Sequence, residues 1–91
     1  MATITIKRRG ETQTYESRKV YASVYSAGLN AHYGEKKSEQ IAEEIEKRVT
    51  NWVKKHPHIK SSNIRDCIIE ELSKIGEDDV ALLYKHHLDV N

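Results

Sequence analysis

The chain has 91 residues, 37% hydrophobic and 32% charged with a mean hydropathy of -0.74, so a single small domain on thin amphipathic stripes is expected, without room for a separate catalytic domain. A formal net charge of +1 excludes a general nucleic-acid coat and a polybasic membrane binder, so any electrostatic function has to be local. Cys67 has no second thiol for a disulfide or a shared zinc ion, no apolar run reaches the ~18 residues that span a bilayer, and MATITIKRRG lacks the apolar centre of a signal peptide; the expected compartment is the cytoplasm.

In chain order, Thr3 to Arg9 alternates as a strand, Thr12 to Tyr15 alternates again, and Gly10 lies between them where a hairpin turn needs a positive backbone dihedral. This predicts a hairpin over about 3–15 with Ile4, Ile6 and Tyr15 facing inward. Ser17 offers a cap for a first helix over about 17–33, striped by Val20, Val24, Ala27, Gly28 and Ala31 and ended by Gly34. Tyr21, Tyr25 and Tyr33 border that stripe. Ser38 is the expected cap of a second helix over about 38–55, with Ile41, Ile45, Val49, Trp52 and Val53 on one face and Pro57 forbidding continuation. Ser61 or Ser62 caps a third, over about 62–75, which carries Ile64, Cys67, Ile68, Leu72 and Ile75 and stops at Gly76. Glu77, Asp78 and Asp79 give acidic first-turn charge to a fourth over about 78–88, with Val80, Leu83, Tyr84 and Leu88 inward. The expected fold is α+β, a small N-terminal hairpin lid packed on a four-helix bundle, because a hairpin alone is marginal in water.

Catalysis finds little support. His86 and His87 are adjacent and project about 100° apart on a helix, His56 and His58 flank Pro57 in a loop, and a metal site built from the four competes with plain solvent exposure. Glu43/Glu44 and Glu70/Glu71 fall on solvated helix faces, and no phosphate loop of the GxxxxGK type exists. The basic turn is different. Lys7, Arg8, Arg9, Arg18 and Lys19 give the stretch from Met1 to Lys19 a balance of +3, against -2 for the rest of the chain. Cations beside the free N–H groups of a helix start suit a polyphosphate; a strand edge guarded by charge explains the same residues equally well.

IKRRGETQTYESRKV resembles the opening motif of ATP-cone domains, V-x-K-R-D-G-x-x-E-x-F-x-x-x-K-I. IKSSNIRDCIIEEL is similar to that family's I-x-S-x-x-I-x-x-x-V-x-x-x-L segment, and DDVALLYKHH to its A-x-x-Y-x-x-Y-R end. Such domains stand at the N-terminus of many ribonucleotide reductases and in a repressor of reductase genes, where they bind ATP or dATP and switch oligomeric state. The resemblance implies phosphate contacts for Lys7 and Lys19, with Arg8 as the motif's second basic residue. Ser61 falls where a hydroxyl at a helix start touches phosphate, Arg65 adds charge one turn on, and His87 matches a position that reaches the phosphates. The departures lie mostly toward the base: Arg9 replaces an Asp, Gln13 a Glu, Glu16 an Asn or Asp, and the terminal Y-x-x-Y-R has become Tyr84-Lys85-His86-His87. Gln13 can read an adenine edge and Glu16 can accept from the exocyclic amine.

The expectation is a non-catalytic regulatory module for ATP or dATP, with Mg2+ as counter-cation, that alters self-association into a homo-oligomer or contacts with a regulated protein in trans. As a whole protein it would act in trans; as an excised domain it would serve an enzyme elsewhere in the chain. The competing reading keeps the fold, loses the nucleotide and docks a protein. Nucleic acid is the weakest candidate partner, given the near-neutral total charge and the lack of an obvious recognition helix.

Overall fold

The computed structural model describes residues 5–8, 11–56 and 60–90. Two strands, β1 (Thr5–Arg8) and β2 (Glu11–Thr14), precede four helices, α1 (Ser17–Asn30), α2 (Glu35–Lys55), α3 (Ser61–Lys74) and α4 (Asp78–Val90). The strands pair antiparallel with Thr5 opposite Thr14, Ile6 opposite Gln13, Lys7 opposite Thr12 and Arg8 opposite Glu11. Ile4, Arg9, Gly10, Pro57 and His58 lie outside the described residues.

α1 buries Val20, Val24, Ala27 and Gly28, the spacing that puts one face of a helix on a core. Its boundaries differ from the sequence expectation. Ser17 is the first helical residue and Glu16 the N-cap, while the helix ends at Asn30 through His32, whose φ is 65°. The His32 N–H donates to the Leu29 carbonyl at 3.0 Å and the Tyr33 N–H to that of Gly28 at 3.1 Å, a left-handed cap usually given to glycine. Gly34 does not end α1 but opens α2 from an extended conformation.

α2 turns Ile41, Ala42, Ile45, Val49 and Val53 into the core. Ser38, expected as its cap, sits inside the helix and is fully buried against Gly28 of α1. α3 is capped at Lys60, whose N–H donates to Asn63 Oδ1 at 3.1 Å, so Ser61 and Ser62 are helical and not caps. Its far end closes through Gly76 at φ 84°, where Gly76 and Glu77 N–H groups reach the Ser73 and Leu72 carbonyls at 3.0 and 2.9 Å. Asp78 and Asp79 then stand in the first turn of α4, facing its positive end.

All four helices feed one core, in which Val24, Ile45, Val49, Leu72 and Val80 lose all contact with solvent. Tyr15, Tyr21, Tyr25, Tyr33 and Trp52 border it half-buried, and Cys67 is packed within it. Burial and the nearby Glu71 and Glu70 carboxylates push the Cys67 thiol up to about 11. Glu71 meets Arg48 of α2 at 3.9 Å across the α2–α3 seam and Lys74 of its own helix at 3.1 Å, so one member of the Glu70/Glu71 pair read as solvated is largely enclosed while Glu70 stays exposed.

The fold class is thus a four-helix bundle, and the expected α+β class with a hairpin lid packed on the helices is corrected. The buried core described is shared among the four helices. Among the described residues the sheet has two strands of four residues each, and a ribbon that short cannot form a layer of its own. Its described ties to the bundle are local: β1 touches α3, and Tyr15, just past β2, shares a 3.0 Å hydrogen bond with Thr50 of α2. No helix among the described residues is long and apolar enough to cross a membrane.

Candidate functional site

A groove of about 400 Å³ runs between α1 and α4, lined by Lys19, Ala22, Ser23, Ser26, Ala27, Asn30, Leu83 and Tyr84. Its shape follows from small side chains. Ala22, Ser23, Ser26 and Asn30 fill one side of α1 too thinly to close against α4, whose Tyr84 lies buried at the floor. Lys19 stands in the first turn of α1, where backbone N–H groups lack helical acceptors.

Tyr84 of α4 faces Ser23 of α1 in this groove. Burial raises its phenol above the usual value, while the Ser23 hydroxyl of α1 and the Arg65 charge of α3 pull it back. Ser23 itself donates to the Lys19 carbonyl at 2.5 Å, so the helix turn that presents Lys19 is tied to the residue facing Tyr84. The groove thus offers a cation and hydroxyls around a largely apolar floor. An anion with an apolar or aromatic body fits that combination.

Of the site residues expected from the sequence, the structure brings Glu16 and Lys19 into an ion pair of 3.3 Å, and Lys19 lines the groove; Arg65 is on α3 and is not among the lining residues. Lys7 and Arg8 are on β1, which touches α3; Gln13 is on β2 opposite Ile6. Ser61 is the first residue of α3, and His87 lies on α4 three residues beyond Tyr84. Arg9 falls outside the described residues. Among the described residues, no group of three or more His, Cys, Asp or Glu could hold a metal ion.

Beyond Lys19, sequence reasoning does not find the groove lining. Tyr84 was assigned to the core alone, and Ser23, Ser26 and Asn30 were not singled out, although their spacings of three and four are a stripe of small polar residues alongside the apolar one.

The family model described as the ATP cone domain matches residues 3–87. Proteins named transcriptional repressor NrdR from Clostridium kluyveri and Carboxydothermus hydrogenoformans are each 29% identical to the chain over 91 residues, covering 97% of it. The chain spans 59% and 58% of those relatives' own lengths. No solved structure matches.

Proposed function

The chain belongs to the ATP cone domain family, and from that premise we propose that it is a non-catalytic regulatory module for ATP or dATP. The polyphosphate is assigned to Lys19 and Arg65, with Lys7, Arg8, Arg9, Ser61 and His87 completing the cationic and hydroxyl set and Mg2+ as counter-cation. Gln13 and Glu16 are assigned to the base. The observation that carries the reading is the groove between α1 and α4, which sets Lys19 and the Ser23 and Ser26 hydroxyls around buried Tyr84. Cations on separate helices are pulled toward a common anion, so binding would change how those helices present their outer faces, and with them self-association or contacts with a regulated protein.

Because the relatives are named as transcriptional repressors, the expectation against nucleic acid is narrowed to this stretch of chain, whose net charge is +1. What the longer relatives contact is a separate matter from what these residues hold.

The test is a titration with ATP, dATP, GTP and AMP, followed by calorimetry and by NMR. Saturable heat with shifts at Lys19, Ser23, Arg65 and Tyr84 is expected for ATP or dATP. No heat and no melting shift at millimolar ATP overturns the reading. It would leave the second one, a domain that keeps the fold and docks a protein, for which the exposed Leu82 of α4 and Leu29 of α1 speak; a discrete oligomer with an ATP-insensitive spectrum is its signature.

A further inference from the structure

Glu16 stands at the N-cap of α1 in an extended conformation, φ -121° and ψ 109°, and its side chain makes no capping hydrogen bond. That is unusual for an acidic residue at this place, because the free N–H groups of the first turn ordinarily attract it. The Lys19 N–H is already held by the Glu16 backbone carbonyl at 3.1 Å, so the carboxylate is left to reach outward. It reaches Lys19 Nζ at 3.3 Å. Among the described side chains, then, Glu16 supports no helix start; its partner is the lysine that lines the groove.

We infer that the Glu16 carboxylate is a built-in competitor for the anion that Lys19 holds, an inference that rests on the nucleotide reading above. The argument is one of charge and exposure. Lys19 is 76% and Glu16 56% exposed, so the pair is weak and opens readily. A buried pair would lock the lysine away, whereas an exposed one only neutralises it until a stronger anion arrives. A triphosphate carries several charges and so displaces a single carboxylate from Lys19. A monovalent anion, with one charge and one contact, has no such advantage. The residue thus sets a threshold of ligand charge at the groove mouth, a role distinct from contact with the base.

Two measurable consequences separate this from a helix-start charge that merely happens to be near. In the variant E16Q both the competing charge and its repulsion of an incoming anion vanish, so affinity for an anion without a base rises. The salt dependence also steepens, because Lys19 then draws its counterions from solution, and these are released on binding.

The experiment uses inorganic tripolyphosphate, which has no base to be read, and ATP, titrated into the wild-type chain, E16Q and K19M at low and at high salt. The expected result is tripolyphosphate binding about two- to fivefold tighter in E16Q at low ionic strength, the gap closing at high salt, and strong weakening in K19M. Wild-type binding that E16Q leaves unchanged or weakens overturns the competitor role alone and leaves the nucleotide reading standing. If neither form binds tripolyphosphate or ATP, both fall together.

Discussion

Gly28 of α1 and Ser38 of α2 cross so closely that a Cβ on the glycine would lie 2.7 Å from Ser38 Oγ and 3.3 Å from the Ser38 Cα. Ser38 is fully buried, so its hydroxyl has nowhere to swing. Replacing Gly28 with Ala is therefore expected to push α1 and α2 apart, at a cost of about 1–3 kcal/mol despite the better helix propensity of alanine. Urea denaturation of G28A measures it, and a midpoint equal to or above wild type would contradict so tight a crossing.

The same crossing contains a hydroxyl, Ser38 Oγ, with no hydrogen-bond partner among the described residues. A buried hydroxyl without a partner costs free energy that a methyl does not. Ser38→Ala should leave stability unchanged or raise it by about 1 kcal/mol, read from the same denaturation series.

That crossing also shows why some of the fold was legible in the sequence and some was not. The long apolar stripe of α2 announces itself through Ile41, Ile45, Val49 and Val53, since helical spacing is a property of the local chain. Ser38 reads locally as a cap because a serine before such a stripe usually is one. Only the approach of Gly28, ten positions earlier and on another helix, turns it into a buried contact. The end of α1 failed for a related reason: the left-handed cap falls on His32, where sequence reasoning looks for glycine. The hairpin could be seen as two alternating segments, but whether a ribbon forms a layer of the core depends on side chains it does not contain. At the candidate site, Lys19 is visible as a motif residue, while the groove it lines needs the small residues of α1 to be set against Tyr84 of α4.

His32 gives a direct test of that cap. At φ 65° a histidine carries a steric penalty that glycine avoids. His32→Gly should therefore stabilise the chain by about 0.5–1 kcal/mol, and Gly76→Ala, at φ 84° in the matching cap of α3, should destabilise it by about 1 kcal/mol. Opposite shifts of the melting temperature are the expected pair of results; shifts of the same sign would refute the shared cap geometry.

Tyr15 and Thr50 make the hydrogen bond that ties the segment after β2 to α2. Tyr15→Phe and Thr50→Ala should each lose about 1 kcal/mol, and the double variant should lose little more than either alone. A double-mutant cycle with no coupling would show that Tyr15 is held by packing only.

Cys67 makes stability depend on alkaline pH. Its thiol is raised from the ordinary value of 9.0 to about 11 in the fold, chiefly because burial disfavours the thiolate. Above pH 9 the unfolded chain loses this proton while the folded chain keeps it, so the unfolded state binds fewer protons and stability falls as pH rises. The contribution is fully present below about pH 9 and is lost as pH climbs through 11, on the order of 2 kcal/mol. The phenols of Tyr15 and Tyr84, also raised by burial, add to the loss in the same direction. Denaturation midpoints followed from pH 8 to pH 11 should therefore decline in the wild-type chain and decline less steeply in Cys67→Ala, whatever baseline the smaller side chain sets. Equal slopes for the two proteins would mean that the thiol titrates no differently folded than unfolded, and that Cys67 is more open to solvent than its burial on α3 implies.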